Sequence, residues 1–150
     1  DYITFENNEV YNNAWYTLYA CSGISILTPY DCDDNTDFKM FITGNTVYNN
    51  HTKIPWASTS NFRYSDGNGI IADINRRPDG GSTQEIKDKG AYKGKTLIAN
   101  NVSYCNGGSG IHAFNAAHIY IVNNTAYHNE QRYTNEYGEI FSQNGEDNYI

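Results

Sequence analysis

The stretch that decides the fold is "IVNNTAYHN" at residues 121–129, where two adjacent asparagines, a tyrosine and a further asparagine follow an apolar run. The same template occurs three more times, as "FENNEVYNN" (5–13), "ITGNTVYNN" (42–50) and "IANNVSYCN" (98–106). The aligned asparagines are separated by 37, 56 and 23 residues. Recurrence at a short minimal period with variable insertions indicates a solenoid, in which each copy forms one coil.

Two repeated elements have the pattern of short strands. Before the asparagines, apolar residues alternate with others, as in Met40 and Ile42 or Ile119 and Ile121, which indicates a strand with one buried face. The second element starts with a small turn residue and has an inward isoleucine; its copies are "SGISI" (22–26), "NGIIA" (68–72), "SGIHA" (109–113) and "GEIFS" (138–142). Each coil therefore holds at least two short strands separated by tight turns.

Stacked coils bring equivalent residues to about 4.8 Å from one another, the spacing between neighbouring strands. The template therefore predicts columns of identical side chains along the solenoid, and a ladder of amides would satisfy the hydrogen bonds that burial demands. The predicted columns are a first asparagine ladder (Asn8, Asn45, Asn101, Asn124), a tyrosine stack (Tyr11, Tyr48, Tyr104, Tyr127) and a second asparagine ladder (Asn13, Asn50, Asn106, Asn129).

Composition and charge narrow the functional classes. The 150 residues carry a net charge of −7, and no apolar run approaches the ~18 residues of a membrane span. Eight of the ten Lys and Arg residues lie in 53–95. The net charge of that segment is +3, and the net charge of the remainder is −10. A basic surface on an acidic body predicts an anionic ligand, although a solvated loop is the alternative. The negative net charge of the whole chain and the lack of a nucleic-acid-binding motif argue against nucleic acid as that ligand.

The length predicts one domain over 1–150, with insertions at about 28–38, 51–66 and 76–95. The chain opens on strand-like "DYITF" and closes on "DNYI", so we expect a segment of a longer β-solenoid with neighbouring coils or end-to-end copies. Cys21 and Cys32 are predicted to form a disulfide, with three reduced cysteines as the alternative. Sequons occur at Asn50, Asn101 and Asn123, where the repeat itself requires asparagine.

The turns of the "NNTVYNN" type and the strand "GGSGIHAF" at 107–114 resemble those of the right-handed parallel β-helix proteins of the pectate-lyase-like superfamily. The resemblance implies an all-β solenoid of about four coils, secretion, and a uronic-acid-containing polysaccharide as the ligand. It leaves three functions open. The first is a polysaccharide lyase acting by calcium-assisted β-elimination, and the others are a structural segment of a fibre, adhesin or tailspike and a carbohydrate-binding β-helix.

The segment "SDGNGIIADINRR" at 65–77 is the sharpest local group of chemically active residues. If its strand starts at Gly69, Asp73 and Asn75 point outward, while Asp66 and Asn68 lie in the preceding turn. Oxygen ligands of this kind suit Ca²⁺, and the resemblance implies a calcium site at Asp66, Asn68 and Asp73. An Asx turn at "DGNG" is the alternative explanation.

A general base is expected close to that segment. His112 aligns with Ile71 on the neighbouring coil and so lies diagonally from Asp73, where a base could act near neutral pH. Arginine and lysine are the bases that the resemblance implies, which adds Arg76 and Lys53 as candidates. The residues predicted to bind substrate are Arg63, Arg77, Trp56, Phe114 and Asn75.

Overall fold

The computed structural model describes residues 1–57, 63–76, 84–132 and 138–150, and these form a parallel β-helix of four coils. Each coil contributes three short strands, one more than the minimum that the sequence pattern required. In chain order the elements are β1 (Ile3–Glu6), β2 (Glu9–Tyr11), β3 (Ile24–Leu27), β4 (Phe38–Thr43), β5 (Thr46–Tyr48), β6 (Ile70–Asp73), α1 (Gln84–Lys89), β7 (Lys95–Ala99), β8 (Val102–Tyr104), β9 (Ile111–Phe114), β10 (Ile119–Val122), β11 (Thr125–Tyr127) and β12 (Ile140–Gln143).

The strands stack into three parallel sheets of four strands each. Sheet A has the order β1-β4-β7-β10, sheet B has β2-β5-β8-β11, and sheet C has β3-β6-β9-β12. The register equals the sequence alignment of the repeats, so that Ile70 pairs with Ile111 and Tyr48 pairs with Tyr104. The inward residues form one apolar core whose members include Ile24, Ile42, Ile70, Ile98, Ile111 and Ile119.

Each pair of adjacent polar residues in the template makes a tight turn between sheets A and B. The first residue of each pair has a positive φ, as in Asn7 (56°), Gly44 (66°), Asn100 (59°) and Asn123 (54°). Asparagine and glycine tolerate this left-handed conformation, whereas a β-branched residue does not. The first asparagine of "NN" therefore serves the backbone, and the second turns its amide inward to the ladder.

The first asparagine ladder is confirmed. The Oδ1 atom of Asn101 accepts hydrogen bonds from the backbone nitrogen and the Nδ2 atom of Asn45, at 2.9 and 3.0 Å. In turn, Nδ2 of Asn101 donates to Oδ1 of Asn124 and to the carbonyl oxygen of Ile42, each at 2.9 Å. One buried amide thus satisfies polar groups of three successive coils.

The second asparagine ladder repeats this pattern between sheets B and C, and it ends on a carboxylate. Asn50 donates to Oδ1 of Asn106, which donates to Oδ1 of Asn129. Beyond Asn129, the Glu139 carboxylate accepts hydrogen bonds from the Asn129 backbone nitrogen, at 3.1 Å, and from its amide. Glu139 occupies the repeat position of Gly110, where a Cβ atom would lie only 2.6 Å from Nδ2 of Asn129. In the fourth coil a carboxylate side chain replaces this small residue and closes the ladder.

The predicted tyrosine stack is also present. Successive rings of Tyr11, Tyr48, Tyr104 and Tyr127 lie 5.1, 4.9 and 5.2 Å apart and are within 9° of parallel. A second stack joins Tyr120 to Tyr149, which bridges to sheet A beyond β10. The tyrosine rings therefore repeat along the outer surface of the solenoid at about the spacing of the strands that carry them.

The predicted Cys21–Cys32 disulfide is wrong, because both of these cysteines and Cys105 are free. Cys21 lies before β3, and Cys32 lies after it in the insertion that follows the strand. Of the three sequon asparagines, Asn50 and Asn101 are buried within the ladders, whereas Asn123 is exposed. The repeat requires asparagine at the first two positions for its own hydrogen bonds.

A buried lysine ties the insertion after β3 to sheet A. The Nζ atom of Lys39 lies 3.2 Å from Asp1, 3.1 Å from Asp31 and 2.7 Å from Asp33. Tyr92 closes this cluster by donating its hydroxyl hydrogen to Asp1 at 2.9 Å. Burial opposes the charge on Lys39, but the hydrogen bonds that Lys39 donates to Asp33 and Asp31 outweigh burial and raise its pKa. The sequence pattern did not reveal this cluster.

Candidate functional site

The outer face of sheet C contains two rows of side chains. One row consists of Ser25, Ile71, His112 and Phe141, and the next consists of Leu27, Asp73, Phe114 and Gln143. The alignments of His112 with Ile71 and of Phe114 with Asp73 are therefore confirmed. Although this face points away from the core, His112 is only 6% exposed and Ile71 only 2%. The middle of the first row is therefore buried, whereas Leu27 at one end of the second row is 58% exposed.

Asp73 occupies an apolar position at the end of β6. Its neighbours in the row are Leu27 and Phe114, and its Oδ1 atom is buried without a hydrogen-bond partner in the part of the chain that the structure describes. Burial, followed by the negative charge of Asp66, raises the pKa of Asp73 to about 7. The expectation of an ordinary surface carboxylate is thus wrong, because the apolar neighbours remove most of its hydration.

The backbone immediately after Asp73 is strained. Ile74 has a φ of +51°, a conformation that is rare for a β-branched residue. The equivalent positions in the other coils, Thr28, Asn115 and Asn144, have similar φ values of 45°, 46° and 52°, so a second β-branched residue adopts this conformation in the first coil. The repeat therefore imposes this turn after each strand of sheet C.

Asp66 lies close enough for its charge to act on Asp73, so the structure brings these two predicted residues together. Burial raises the pKa of Asp66 also, while a 3.4 Å hydrogen bond from the Ser65 hydroxyl group lowers it. Asp66 and Gly67 both have positive φ values, 56° and 75°, which turn the chain sharply into sheet C. Two carboxylates with raised pKa values therefore share one partly buried region.

The raised pKa of Asp73 predicts a pH-dependent stability. The folded protein holds a proton on Asp73 up to about pH 7, whereas the unfolded chain releases it near the ordinary value of 3.8. This contribution to the free energy of unfolding is therefore present at low pH and decreases as the pH rises toward 7. We expect the stability of the wild type, minus that of Asp73→Asn, to be smaller at about pH 8 than at about pH 5.

Urea unfolding of both proteins in chelator measures this difference. The contribution of His112 to the free energy of unfolding depends on pH in the opposite sense. Burial lowers its pKa to about 4, so this contribution decreases as the pH falls below 6.5. Since His112 is present in both proteins, its effect cancels in the difference. Equal differences at the two pH values would contradict the assigned shift of Asp73.

Two predicted site residues have structural roles instead. Asn75 was expected on the outer face, but it is 2% exposed, and its amide donates to the carbonyl oxygen of Ala117 and accepts from the Ala117 nitrogen. Asn68, a predicted calcium ligand, is also buried; its Oδ1 atom accepts from the Ser109 nitrogen at 2.9 Å, and its Nδ2 atom donates to Ser22. Both amides bridge neighbouring coils because the corners beside sheet C also need their backbone groups satisfied.

The three candidate bases do not converge. The Arg76 guanidinium group lies 3.3 Å from Glu146 and donates to the Asn144 carbonyl oxygen at 2.7 Å, beyond the end of β6. Lys53 lies in the insertion before β6, with its Nζ atom 3.1 Å from the centroid of the Trp15 ring. His112 lies on β9, and its ring is 5.8 Å from Phe114 and 5.3 Å from Phe141. Among the three, His112 shares the face of sheet C with Asp73.

Of the remaining predicted ligand-binding residues, Trp56 and Arg63 lie on the insertion after β5 and Phe114 lies on sheet C. Trp56 is partly buried, and its backbone nitrogen donates to the carbonyl oxygen of the exposed Arg63 at 2.8 Å. Arg77 lies outside the described residues. The backbone nitrogen of Ala57 donates to the carbonyl oxygen of Leu18 at 2.8 Å, so this part of the insertion packs against the first coil.

Arg132 is a candidate that the sequence reasoning missed. Its guanidinium group lies 4.2 Å from the centroid of the Tyr64 ring. Burial lowers its pKa. The repeat alignment could have identified it, since Arg132 follows Asn129 by three residues as Lys53 follows Asn50. The two bases thus occupy the same repeat position on the fourth and second coils.

The described residues also limit the possible kinds of site. Across 1–57, 63–76, 84–132 and 138–150, no three His, Cys, Asp or Glu side chains form a group that could hold a metal ion. Asp66 and Asp73 could provide only part of a calcium coordination sphere, which takes about six to eight oxygen atoms. No helix in the described part of the chain is long and apolar enough to cross a membrane.

The fold defines the class of protein, a parallel β-helix, and it holds two partly buried carboxylates, Asp66 before β6 and Asp73 at its end. Comparison with known proteins adds no closer relationship. No family model matches the chain, and neither a curated protein nor a solved structure is significantly similar to it.

Proposed function

We propose that this protein is a secreted, carbohydrate-active β-helix that cleaves a uronic-acid-containing polysaccharide by calcium-assisted β-elimination. The observation that supports this most directly is the partly buried Asp73 carboxylate, whose pKa is raised to about 7 next to Asp66. Clustered titratable groups with raised pKa values are typical of functional sites. The similarity of the repeats to the pectate-lyase-like superfamily supports the choice of ligand.

The donor chemistry of the carboxylate pair fits Ca²⁺. Asp66 and Asp73 repel one another, and the buried Oδ1 atom of Asp73 has no partner among the described groups. A divalent cation would relieve both conditions, and the carboxylate of the sugar would supply the oxygen ligands that the protein lacks. When bound, the cation would neutralise the uronate carboxylate and so acidify the adjacent carbon-bound hydrogen.

The protein's own residues would bind and orient the sugar. Phe114 lies beside Asp73 in the outer row of sheet C and offers an apolar face for a sugar ring. His112 is neutral at pH 7 because burial lowers its pKa to about 4, which makes it a weak base and favours a role in orienting the sugar. Arg76 lies 3.3 Å from Glu146, and its planar guanidinium group suits a carboxylate-binding role better than that of a base.

Hydrolysis is the second candidate reaction, and one observation favours it. A carboxyl group with a pKa of about 7 remains partly protonated at neutral pH, as the general acid of a glycosidase requires. Asp73 would then donate the proton to the leaving oxygen, and Asp66 would be the second carboxylate. This reaction needs no calcium.

Incubation with polygalacturonate, alginate and other uronate polymers tests the proposal. Elimination produces an unsaturated sugar that absorbs in the ultraviolet, and a chelator should abolish this signal. New reducing ends without the absorbance, and without an effect of chelator, would identify hydrolysis. If no polymer of the panel is cleaved with or without Ca²⁺, the catalytic proposal is wrong.

A further inference from the structure

The corner between sheets B and C carries a group of cationic and aromatic side chains that the carboxylate site does not use. This corner surface consists of Trp15, His51, Lys53, Tyr64 and Arg132. It runs along the solenoid, because the backbone of each coil hydrogen-bonds to the next at this corner. The bonds include Lys53 to Trp15 at 3.1 Å, Gly107 to Asn50 at 2.9 Å, and Gln131 to Asn106 at 3.1 Å.

The two permanent cations of the corner surface lie on aromatic rings. Lys53 Nζ is 3.1 Å from the Trp15 ring centroid, and the Arg132 guanidinium group is 4.2 Å from that of Tyr64. The aromatic faces hold these side chains in place without neutralising them. Neither Lys53 nor Arg132 has a carboxylate partner among the described residues, and the buried Nε atom of Arg132 has no hydrogen-bond acceptor there.

The positive charges of Lys53 and Arg132 both act on His51. Burial lowers the pKa of His51, and the positive charges of Arg132 and Lys53 lower it further. The third coil contributes Gly107, Gly108 and the buried Ser109 here, and a Cβ atom at Gly107 would lie 3.2 Å from Nδ1 of His51. The small residues therefore leave room between the second coil, with Lys53, and the fourth, with Arg132.

We infer that the corner surface binds the carboxylate groups of an acidic oligosaccharide, with Arg132 as its principal anion-binding residue. A guanidinium group can form two parallel hydrogen bonds with a carboxylate, and the aromatic rings offer apolar faces to sugar rings. Lys53 and Arg132 lie two coils apart, roughly 10 Å along the axis, so one acidic chain running along the solenoid contacts both. This inference rests on the proposed polysaccharide ligand and adds a binding subsite outside the carboxylate pair.

The test is a calorimetric titration of the wild type and of Arg132→Gln with a short oligogalacturonate, in chelator so that no cleavage occurs. The neutral side chain should weaken binding about tenfold or more, since a charge-assisted contact is lost. Arg132→Lys should bind with intermediate affinity, because it keeps the charge but not the planar fork. Lys95→Gln is the matched control; Lys95 is on sheet A next to Asp37, and its loss should change affinity less than about twofold.

Two further probes test the chemical class of the ligand. A carboxyl-reduced oligomer of the same length should bind much more weakly than the acidic one, and a single-stranded oligonucleotide should not compete. Equal binding by wild type and Arg132→Gln would overturn the inference. So would equal binding of the reduced oligomer or effective competition by the oligonucleotide.

The experiments distinguish a failure of the Arg132 subsite from a failure of the catalytic proposal. Asp73→Asn should retain Arg132-dependent binding even where it no longer cleaves polymer. Binding without cleavage by the wild type would keep the subsite and reject the catalytic proposal. Cleavage with an affinity that does not depend on Arg132 would reject the subsite alone.

Discussion

Replacing Asn106 by leucine should lower the free energy of unfolding by about 3–5 kcal/mol, although the two side chains have similar volume. The buried Asn106 amide accepts from the Asn50 backbone nitrogen and from its Nδ2 atom, and it donates to Val47, Ser103 and Asn129. Leucine leaves several of these buried groups unpaired, at a cost of about 1–3 kcal/mol each before relaxation. Because a domain is stable by only about 5–15 kcal/mol, this loss is large.

Urea unfolding measures the effect, and two variants of the same residue type calibrate it. Asn123→Gly removes an exposed asparagine at a turn with φ 54°, which glycine tolerates, and should change stability by less than about 0.5 kcal/mol. Asn13→Leu removes the first member of the second ladder, whose amide donates to Asn50 only, and should have an intermediate effect. A cost for Asn106→Leu no greater than that for Asn13→Leu would show that the ladder does not stabilise the coils.

The asparagine and tyrosine columns could be predicted from the sequence because a parallel solenoid makes sequence alignment and spatial register the same thing. Once Asn45 is aligned with Asn101, the pairing of strands β4 and β7 and of β5 and β8 follows. The same logic aligned His112 with Ile71 and Phe114 with Asp73. It would also have paired Arg132 with Lys53, had the residues after the second ladder been aligned.

Burial on the outer face could not be predicted in this way. Alternation along a strand gives the side of the sheet that a residue faces, but it does not show what covers that side. Asp73 and His112 both face away from the core, yet both are largely buried beside apolar neighbours of sheet C, and burial shifts their pKa values in opposite directions. Cys21 and Cys32 lie in irregular segments that differ between coils, so the repeat carries no information about their separation.

Polar residues at the turns between sheets were the other source of wrong site predictions. A polar residue at a turn of the solenoid satisfies backbone groups of the neighbouring coil, which removes it from the candidate ligands. Asn68 and Asn75 are buried for this reason, and both resemble site residues when the sequence is considered alone. Lys53 and Arg132 differ from them, because their charged groups contact aromatic rings instead of backbone carbonyl groups.

The second large effect is expected at Asp73, where replacement by asparagine should reduce polysaccharide cleavage by about 10²-fold or more. Asparagine preserves the shape of the side chain but cannot carry the negative charge or donate a carboxyl proton. Loss of the charge weakens the calcium site that Asp66 shares, and loss of the proton removes a general acid. The substitution should therefore impair both candidate reactions, with folding checked by thermal unfolding and near-ultraviolet circular dichroism.

The dependence on Ca²⁺ then decides which role Asp73 has. In a lyase, added Ca²⁺ should partly restore the activity of Asp73→Asn, since Asp66 and the uronate carboxylate remain as ligands. In a hydrolase, Ca²⁺ should have no effect, and the activity of the wild type should decrease as the pH rises above about 7, where Asp73 loses its proton. Asp37→Asn is the matched control, because Asp37 is exposed on the far sheet and pairs only loosely with Lys95, at 3.8 Å. An Asp73→Asn variant as active as Asp37→Asn would exclude Asp73 from the chemistry and leave the carboxylate pair as a strained structural feature of sheet C.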